Sequence, residues 1–314
     1  MTVHEEFARV ASEADTAFTI GIFDGVHLGH QHLLSQLQSM ALPEGLVPGV
    51  LTFRNHPRSV LAPGADVAYI TPLEERISLL RHAGVEKVVA LEFTRELSIL
   101  SAREFLTLLS SQLKMRGLVV GPDFAMGHNR DGTIPVIEEI GADLGFWVRT
   151  VEPVYLGEGI VKSSAIRRAI ACGNVAEASR LLGRTYSITG AVVHGDRRGA
   201  TLGFPTANLE IDSATMAPEN GIYATWATVD GNRYLSATNV GVRPTFGSGP
   251  KLVEAFIMDF DQDIYGKQVT LEFVERLREE LAFESVDELV RQMKLDVEHA
   301  RDILSVEQVA QRRS

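Results

Sequence analysis

Residues 18–30 read FTIGIFDGVHLGH, an apolar run that passes directly into a turn carrying three glycines, one carboxylate and two imidazoles. The spacing predicts a strand ending at Phe23, a tight turn through Asp24 to His27, and a helix starting near Leu28 or Gly29. His30 then sits at a helix N-terminus, where unpaired N–H groups and partial positive charge attract anions. Two histidines facing that end add donors for phosphate oxygens, so the HxGH spacing fits a nucleoside triphosphate. Taken alone, the motif also admits His27 and His30 as plain polar turn residues or as a pair of metal ligands. Cys172 is the only cysteine, and a closed structural zinc site does not fit such a chain.

The alternation of strand and helix patterns continues downstream. GVLTF (49–53) precedes a helical pattern at 72–83, KVVALEF (87–93) one at 102–113 and GLVVG (117–121) one at 134–144; WVRTVEPV (147–154) closes the series. Such alternation predicts βαβ units around a parallel sheet. From about Tyr186 the texture changes to β-rich runs divided by Gly, Asn and Asp turns: SITGAVVHG (187–195), YATWATV (223–229), RYLSATNV (233–240), VEAFIMDF (253–260) and QVTLEFVERL (268–277). That spacing predicts a small antiparallel barrel. Asp230-Gly231-Asn232 predicts a hairpin, because the Asp-Gly pair tolerates positive φ. A last helix is expected over 286–304, opened by the capping box Ser285-x-x-Glu288 and burying Val286, Leu289, Val290, Met293, Val297, Ala300 and Leu304. A helical segment at 164–182, closed by Gly183, lies between the halves. The expected boundary falls near Arg184, giving domains at 1–183 and 184–314.

A chain of 314 residues with 45% apolar content can bury two cores. Its 41 acidic residues against 30 basic ones give a net charge of −11. That balance excludes binding to nucleic acid or anionic membranes through bulk positive charge, while leaving room for a local phosphate pocket. No apolar run reaches the length of a bilayer span, and residues 1–15 carry acids where a secretory signal would carry basic and then apolar residues. A lone cysteine forms no intrachain disulfide. The expectation is a cytoplasmic enzyme or binding module for small molecules, with no nucleic-acid or membrane partner; a homo-oligomer is neither required nor excluded.

GIFDGVHLGH (21–30) resembles the signature of the nucleotidyltransferase superfamily and, in its longer form GxFDGxHxGH, the bacterial FAD synthetase family. TFRNHP (52–57), GPDFAMGHNRDG (121–132) and KSSAIR (162–167) follow in that family's order. The resemblance implies a Rossmann-like domain that transfers AMP from ATP to FMN, giving FAD and pyrophosphate. It assigns His27 and His30 to catalysis, and Gly21, Phe23, Asp24, Gly29, Asp123, Ser163, Ser164 and Arg167 to ATP and its phosphates. Asn55 and Phe124 become flavin contacts. A serine pair at a helix start and an arginine within the helix make chemical sense, through N-terminal donors and a fork-shaped cation. Asp24 and Asn55 also read as turn caps. Lys162 and Ser164 depart from the family's SSTxIR, and Ala125-Met126 from its DFRFG, which leaves open a weakened adenylyltransferase half.

GDRRGATLGFPTANLEI (195–211) is no P-loop, and GxxxxGK[ST] occurs nowhere in the chain. The Thr206 hydroxyl and Asn208 amide are hard oxygen ligands suited to Mg2+, with a turn cap after Pro205 as the alternative. GFPTAN, NGIYA, TNVGVRPTF, VEAFIMDFDQDIYGK and LREELAFESVDELVRQMKLD are similar to the riboflavin kinase signatures, in family order. That resemblance implies a six-stranded antiparallel barrel with a terminal helix, phosphorylating the riboflavin 5′-hydroxyl with MgATP. It makes Glu254 the general base, gives Thr206 and Asn208 the metal and phosphates, and makes Gly195, Gly199, Gly203 and Pro205 part of the ATP flap. A carboxylate beside an alcohol can orient it and accept its proton; in isolation Glu254 reads as the solvent face of a strand. Ala200 and Phe256 depart from the family's usual arginine and polar residue. Both motif sets together imply one enzyme making FMN and then FAD. A non-catalytic flavin or nucleotide sensor is a second class, and a cytidylyltransferase or class I synthetase sharing HxGH a third, which leaves the second half unexplained.

Overall fold

Strand β1 (Thr16–Ile20) is buried along its whole length, as an apolar segment covered on both faces must be. In the computed structural model, which describes residues 2–62, 64, 67–195, 198–242 and 251–311, it is the middle of a five-stranded sheet. Its partners are β2 (Val47–Phe53), β3 (Lys87–Leu91), β4 (Met115–Val120) and β5 (Trp147–Thr150), all parallel, in the order β3-β2-β1-β4-β5. Helices α1 (Leu28–Ala41), α2 (Leu73–His82), α3 (Ala102–Gln112) and α4 (Ile134–Leu144) supply the crossovers. Phe18, Leu51, Leu106, Leu118 and Ile137 share one core, and Leu34, Val50 and Leu80 another. The strand order reverses between β1 and β4. The loops leaving the carboxyl ends of those two strands therefore flank the crevice where such sheets bind ligands.

β1 stops at Ile20, three residues short of the expected end, because Phe23 (φ 54°), Gly25 (φ 86°) and Val26 (φ 38°) bend the chain out of the extended region. The single helix expected at 164–182 is two, α5 (Ser163–Ala171) and α6 (Val175–Leu182). Gly173 takes φ 72° between them, and Asn174 restarts the helix by accepting the Glu177 N–H at 3.1 Å. Gly183 closes α6 in the left-handed region, as expected. The chain forms two compact units, Met1–Lys162 and Ser163–Ser314, so α5 and α6 belong with the second. The change of texture near Arg184 and the division by compactness thus fall at different places.

The second unit holds β6 (Tyr186–Val193), β7 (Ala207–Glu210), β8 (Gly221–Val229), β9 (Asn232–Val242), β10 (Lys251–Ile257) and β11 (Gln268–Arg278). They close into an antiparallel barrel in the order β6-β7-β10-β9-β8-β11, which leaves no open sheet edge. The expected hairpin joins β8 to β9 through Asp230 (φ 47°) and Gly231 (φ 79°), the primed turn that matches strand twist. Asp196 and Arg197 of the flap, and Arg243 to Phe246 of TNVGVRPTF, lie outside the described residues.

Helix α7 (Val286–Gln311) begins where Ser285 accepts the Glu288 N–H at 3.2 Å, and it runs past the expected end at Leu304. Ala300 and Leu304 are fully buried against Ala224, Trp226 and Met258. Val286 is a correction: it is 60% exposed. The first turns of α7 border a cavity rather than the core, so Leu289, Met293 and Val297 line open space and Val286 faces solvent. Buried Asp296 accepts Nε of Arg278 at 2.8 Å and Nη2 at 2.6 Å, tying the helix to β11.

Candidate functional site

In the first unit the site grows from the end of β1. His27, 5% exposed, caps α1: its Nδ1 accepts the His30 N–H at 3.2 Å. That bond makes Nδ1 an acceptor and leaves the ring proton on Nε2. The His27 and His30 rings stack, centroids 3.6 Å apart and planes 15° apart, with the Phe23 ring 5.0 Å from His30. Gly29 is required by this packing, since a Cβ there would come 3.0 Å from the Val161 carbonyl and 3.2 Å from the His27 ring. Burial pushes the pKa of His30 well below 6.5, helped by the adjacent His27 and the Arg76 charge. His30 is therefore a neutral imidazole near pH 7. With its Nδ1 buried and without a partner among the described residues, it is available to a ligand.

The other residues expected here take distinct places. Asp24, 2% exposed, accepts the Ile70 and Thr71 N–H groups, both at 3.1 Å, and so clamps the turn to the segment ahead of α2. Asn55 spends its amide on the backbone of Phe93, donating at 2.9 Å and accepting at 2.8 Å. Gly21 lies against the Phe23 ring. Asp123 is exposed and Phe124 half-buried on the loop after β4, across the crevice from the β1 turn. Ser163 and Arg167 are half-buried and Ser164 is exposed; all three open α5, in the second unit.

In the barrel, register builds the second constellation. Asn208 on β7 pairs with Glu254 on β10, and Glu254 with Asn239 on β9. The three side chains form one rung and line a cavity of about 510 Å³ with Thr206. Phe204 and Phe256 meet edge to face at 5.3 Å on its wall. The flap folds back on the same residues: a Cβ at Gly195 would run into the Asn208 amide, and one at Gly199 into the Phe204 carbonyl, 3.4 Å from Thr206 Oγ1. Gly203 takes φ 87° at the bend. Pro205 and Thr206 also face a second cavity of about 460 Å³, beside Tyr265, whose ring lies 3.9 Å from His194.

No cluster of three His, Cys, Asp or Glu side chains that could form a closed metal cage occurs among the described residues. Beside the carboxylate of Glu254 the cavity offers the Thr206 hydroxyl and the amides of Asn208 and Asn239, and the Thr206 and Asn208 oxygens are a donor set that fits a Mg2+ ion keeping waters and sharing nucleotide phosphates.

Comparison with known proteins separates the halves in the same way. The FAD synthetase family model matches residues 10–165 and the riboflavin kinase model residues 182–304. A bifunctional riboflavin kinase/FMN adenylyltransferase of Listeria monocytogenes is 35% identical over 92% of this chain and 93% of its own length. The chain belongs to the bifunctional riboflavin kinase/FMN adenylyltransferase family. The Escherichia coli K12 member of that family is 34% identical, over 94% of this chain and 95% of its own. Among solved structures, a Streptococcus pneumoniae chain described as a macrolide-efflux protein superposes with TM-score 0.88 at 34% identity, covering 94% of this chain and 96% of that one. No helix among the described residues is long and apolar enough to cross a membrane.

Within this bifunctional family member, two side chains gave no signal in the sequence. Arg76 on α2 is 1% exposed and donates Nη2 to the Phe53 carbonyl at 2.7 Å, but Nε and Nη1 have no partner among the described residues. A buried guanidinium of that kind favours an anion nearby. In the sequence it is one charge in LEERISLLRH, indistinguishable from a solvated helix face. Asn239 sits inside a β run whose alternation reads equally well in either register.

Proposed function

We propose that the two activities of this family rest on two constellations, the His27–His30 turn for adenylyl transfer and the Asn208–Glu254 rung for phosphorylation. The chain is a riboflavin kinase and an FMN adenylyltransferase. In the barrel, Glu254 orients the riboflavin 5′-hydroxyl and takes its proton as the new O–P bond forms and the bond from the γ-phosphorus to the ADP oxygen breaks. Thr206 and Asn208 hold Mg2+, which neutralises charge on the nucleotide phosphates when bound. Gly195, Gly199, Gly203 and Pro205 give the nucleotide close approach to backbone.

At the β1 turn, the FMN phosphate attacks the α-phosphorus of ATP and pyrophosphate leaves, with no covalent enzyme intermediate. His27 donates from Nε2, and His30 contributes a neutral donor at the α1 N-terminus, so charge developing on the pyrophosphate meets preorganised N–H groups. Gly21, Phe23 and Gly29 shape the turn, Asp24 holds it, and Asp123, Ser163, Ser164 and Arg167 bind ATP by family resemblance. Phe124 contacts flavin, and Asn55 positions the neighbouring segment through Phe93. We place the functional boundary at Arg184, with α5 and α6 serving the adenylyltransferase. We further propose a cytoplasmic enzyme with no nucleic-acid or membrane partner.

The observation that carries this reading is the pairing of a capped, histidine-lined helix N-terminus with a polar rung facing a cavity, one in each unit. Incubation with riboflavin, ATP and Mg2+ followed by separation of the flavins tests it. FMN and then FAD with pyrophosphate are expected; FMN accumulating alone would favour a chain with a silent adenylyltransferase half, for which no structural observation speaks.

A further inference from the structure

Asn208, Glu254 and Asn239 share one rung of the barrel and one cavity, yet only the first two have a part in phosphoryl transfer. Oδ1 of Asn239 is buried and has no hydrogen-bond partner among the described residues. The opposite face of the same strand provides the contrast. On the same strand Ser236 and Thr238, with Thr225 on β8, are buried polar groups that pair with one another: Thr225 Oγ1 and Thr238 Oγ1 lie 2.7 Å apart. A buried amide oxygen left unpaired is unfavourable, so a complementary group on a bound ligand is selected for.

The chemistry of that group follows from the neighbours. A cation is drawn to the Glu254 carboxylate and the Thr206 and Asn208 oxygens, and an anion is repelled by the same carboxylate. A hydroxyl is complementary: it donates to the amide oxygen and, with the amide turned over, accepts from the NH2 group. Riboflavin carries its 5′-hydroxyl at the end of a chain bearing three more hydroxyls. An alcohol presented to Glu254 therefore brings a second hydroxyl level with the adjacent position of the rung.

We infer that Asn239 is the residue through which the kinase site recognises the polyhydroxylated chain of riboflavin, its amide pairing with a hydroxyl next to the one that Glu254 deprotonates. This rests on the reading of the barrel cavity as the riboflavin site. The residue sets specificity: a site built to hydrogen-bond a substrate hydroxyl rejects an analogue lacking it, because its own polar group is then stranded.

The test compares riboflavin with a flavin whose N10 substituent is a plain 5-hydroxypentyl chain, in the full-length protein with MgATP. In Asn239→Ala and Asn239→Leu, kcat/KM for riboflavin should fall roughly 10- to 100-fold while that for the hydroxypentyl flavin changes less than about twofold. The preference for riboflavin collapses. Proportional losses on both acceptors, or no loss on either, would overturn the inference. Should those variants fail to fold, Asn239→Ser makes a smaller change in the strand and is read in the same way. Glu254→Gln separates this inference from the site reading beneath it: loss of phosphorylation of both acceptors supports the site, and undiminished FMN formation means that the cavity is not the kinase site. AMP transfer to supplied FMN reports that the first unit is intact in every variant.

Discussion

The imidazoles of His27 and His30 stack at 3.6 Å while Nδ1 of the first accepts the backbone N–H of the second. Two rings so close disfavour a second positive charge, and the cap consumes the one nitrogen whose protonation would release it. In the proposed reading the pair serves as neutral donors held by the helix terminus. His30→Ala should lower FAD formation roughly 100- to 1,000-fold, the scale of losing one preorganised donor, and leave FMN formation unchanged. Equal loss of both products, measured by separating the flavins, would contradict independent sites.

The depressed pKa of His30 sets a pH dependence. The unfolded chain takes up a proton at the ordinary value of 6.5, and the folded chain only at lower pH. Below 6.5 the unfolded state binds more protons, so the stabilising contribution of neutral His30, fully present above 6.5, is lost as pH falls toward its folded value. The thermal midpoint of the first unit should drop through this window, and His30→Gln should flatten the slope. A variant as acid-sensitive as the wild type would count against burial of a neutral imidazole.

Glu254→Gln keeps the size of the side chain and its place on the rung while removing the base. FMN formation should fall about 100- to 10,000-fold, with a larger effect on kcat than on the KM for riboflavin. AMP transfer to supplied FMN should persist. A change confined to KM would reduce Glu254 to a binding group.

Arg76→Met removes a buried charge with two unpartnered donors but retains the length of the stem. Because the guanidinium balances the charge of the buried Asp24 carboxylate, which the variant leaves uncompensated, the thermal midpoint should fall and FAD formation should drop at least about tenfold. Stabilisation of the first unit by ATP, followed as a thermal shift, should shrink in parallel. A stable variant with full FAD synthesis would show that the guanidinium acts on neither anion nor turn.

Asp296→Ala strands Arg278 beside the kinase cavity, since the pair is 17% and 9% exposed. Breaking such a pair from one side costs about 3–5 kcal/mol, whereas an apolar pair of similar volume is near neutral. Chemical denaturation should show a large loss in Asp296→Ala and recovery in the double variant Arg278→Met/Asp296→Leu.

Much of this architecture is legible in the amino-acid sequence. The Asp230-Gly231 hairpin, the helix after the first strand and the αL close at Gly183 follow from local backbone preferences, which act over a few residues. The proposal of a phosphate site at the β1 turn can be read from sequence because glycine spacing and imidazoles are both local. What stays hidden depends on burial. Arg76 belongs to a helix whose polar residues look solvated, and only the fold places its guanidinium against the end of β2. Val286 has the right periodicity for burial, yet periodicity cannot tell a core from the mouth of a cavity. Asn174 restarts a helix through one side-chain cap, too small a signal to interrupt the apolar pattern on either side.

The Asp230-Gly231 turn governs chemistry that it never touches. Side chains alternate between the inside and outside of a barrel, so the two-residue turn, by fixing where β9 begins, decides that Asn239 faces the cavity beneath α7 beside Glu254 while Thr238 and Val240 fill the barrel core. One residue inserted there and passed along the strand would drive Asn239 into the apolar barrel core and turn its neighbours Thr238 and Val240 to the cavity. The position of a substrate-recognising amide is in this sense set by a glycine at the far end of its strand. A loop that looks free to vary carries the phase of the active site.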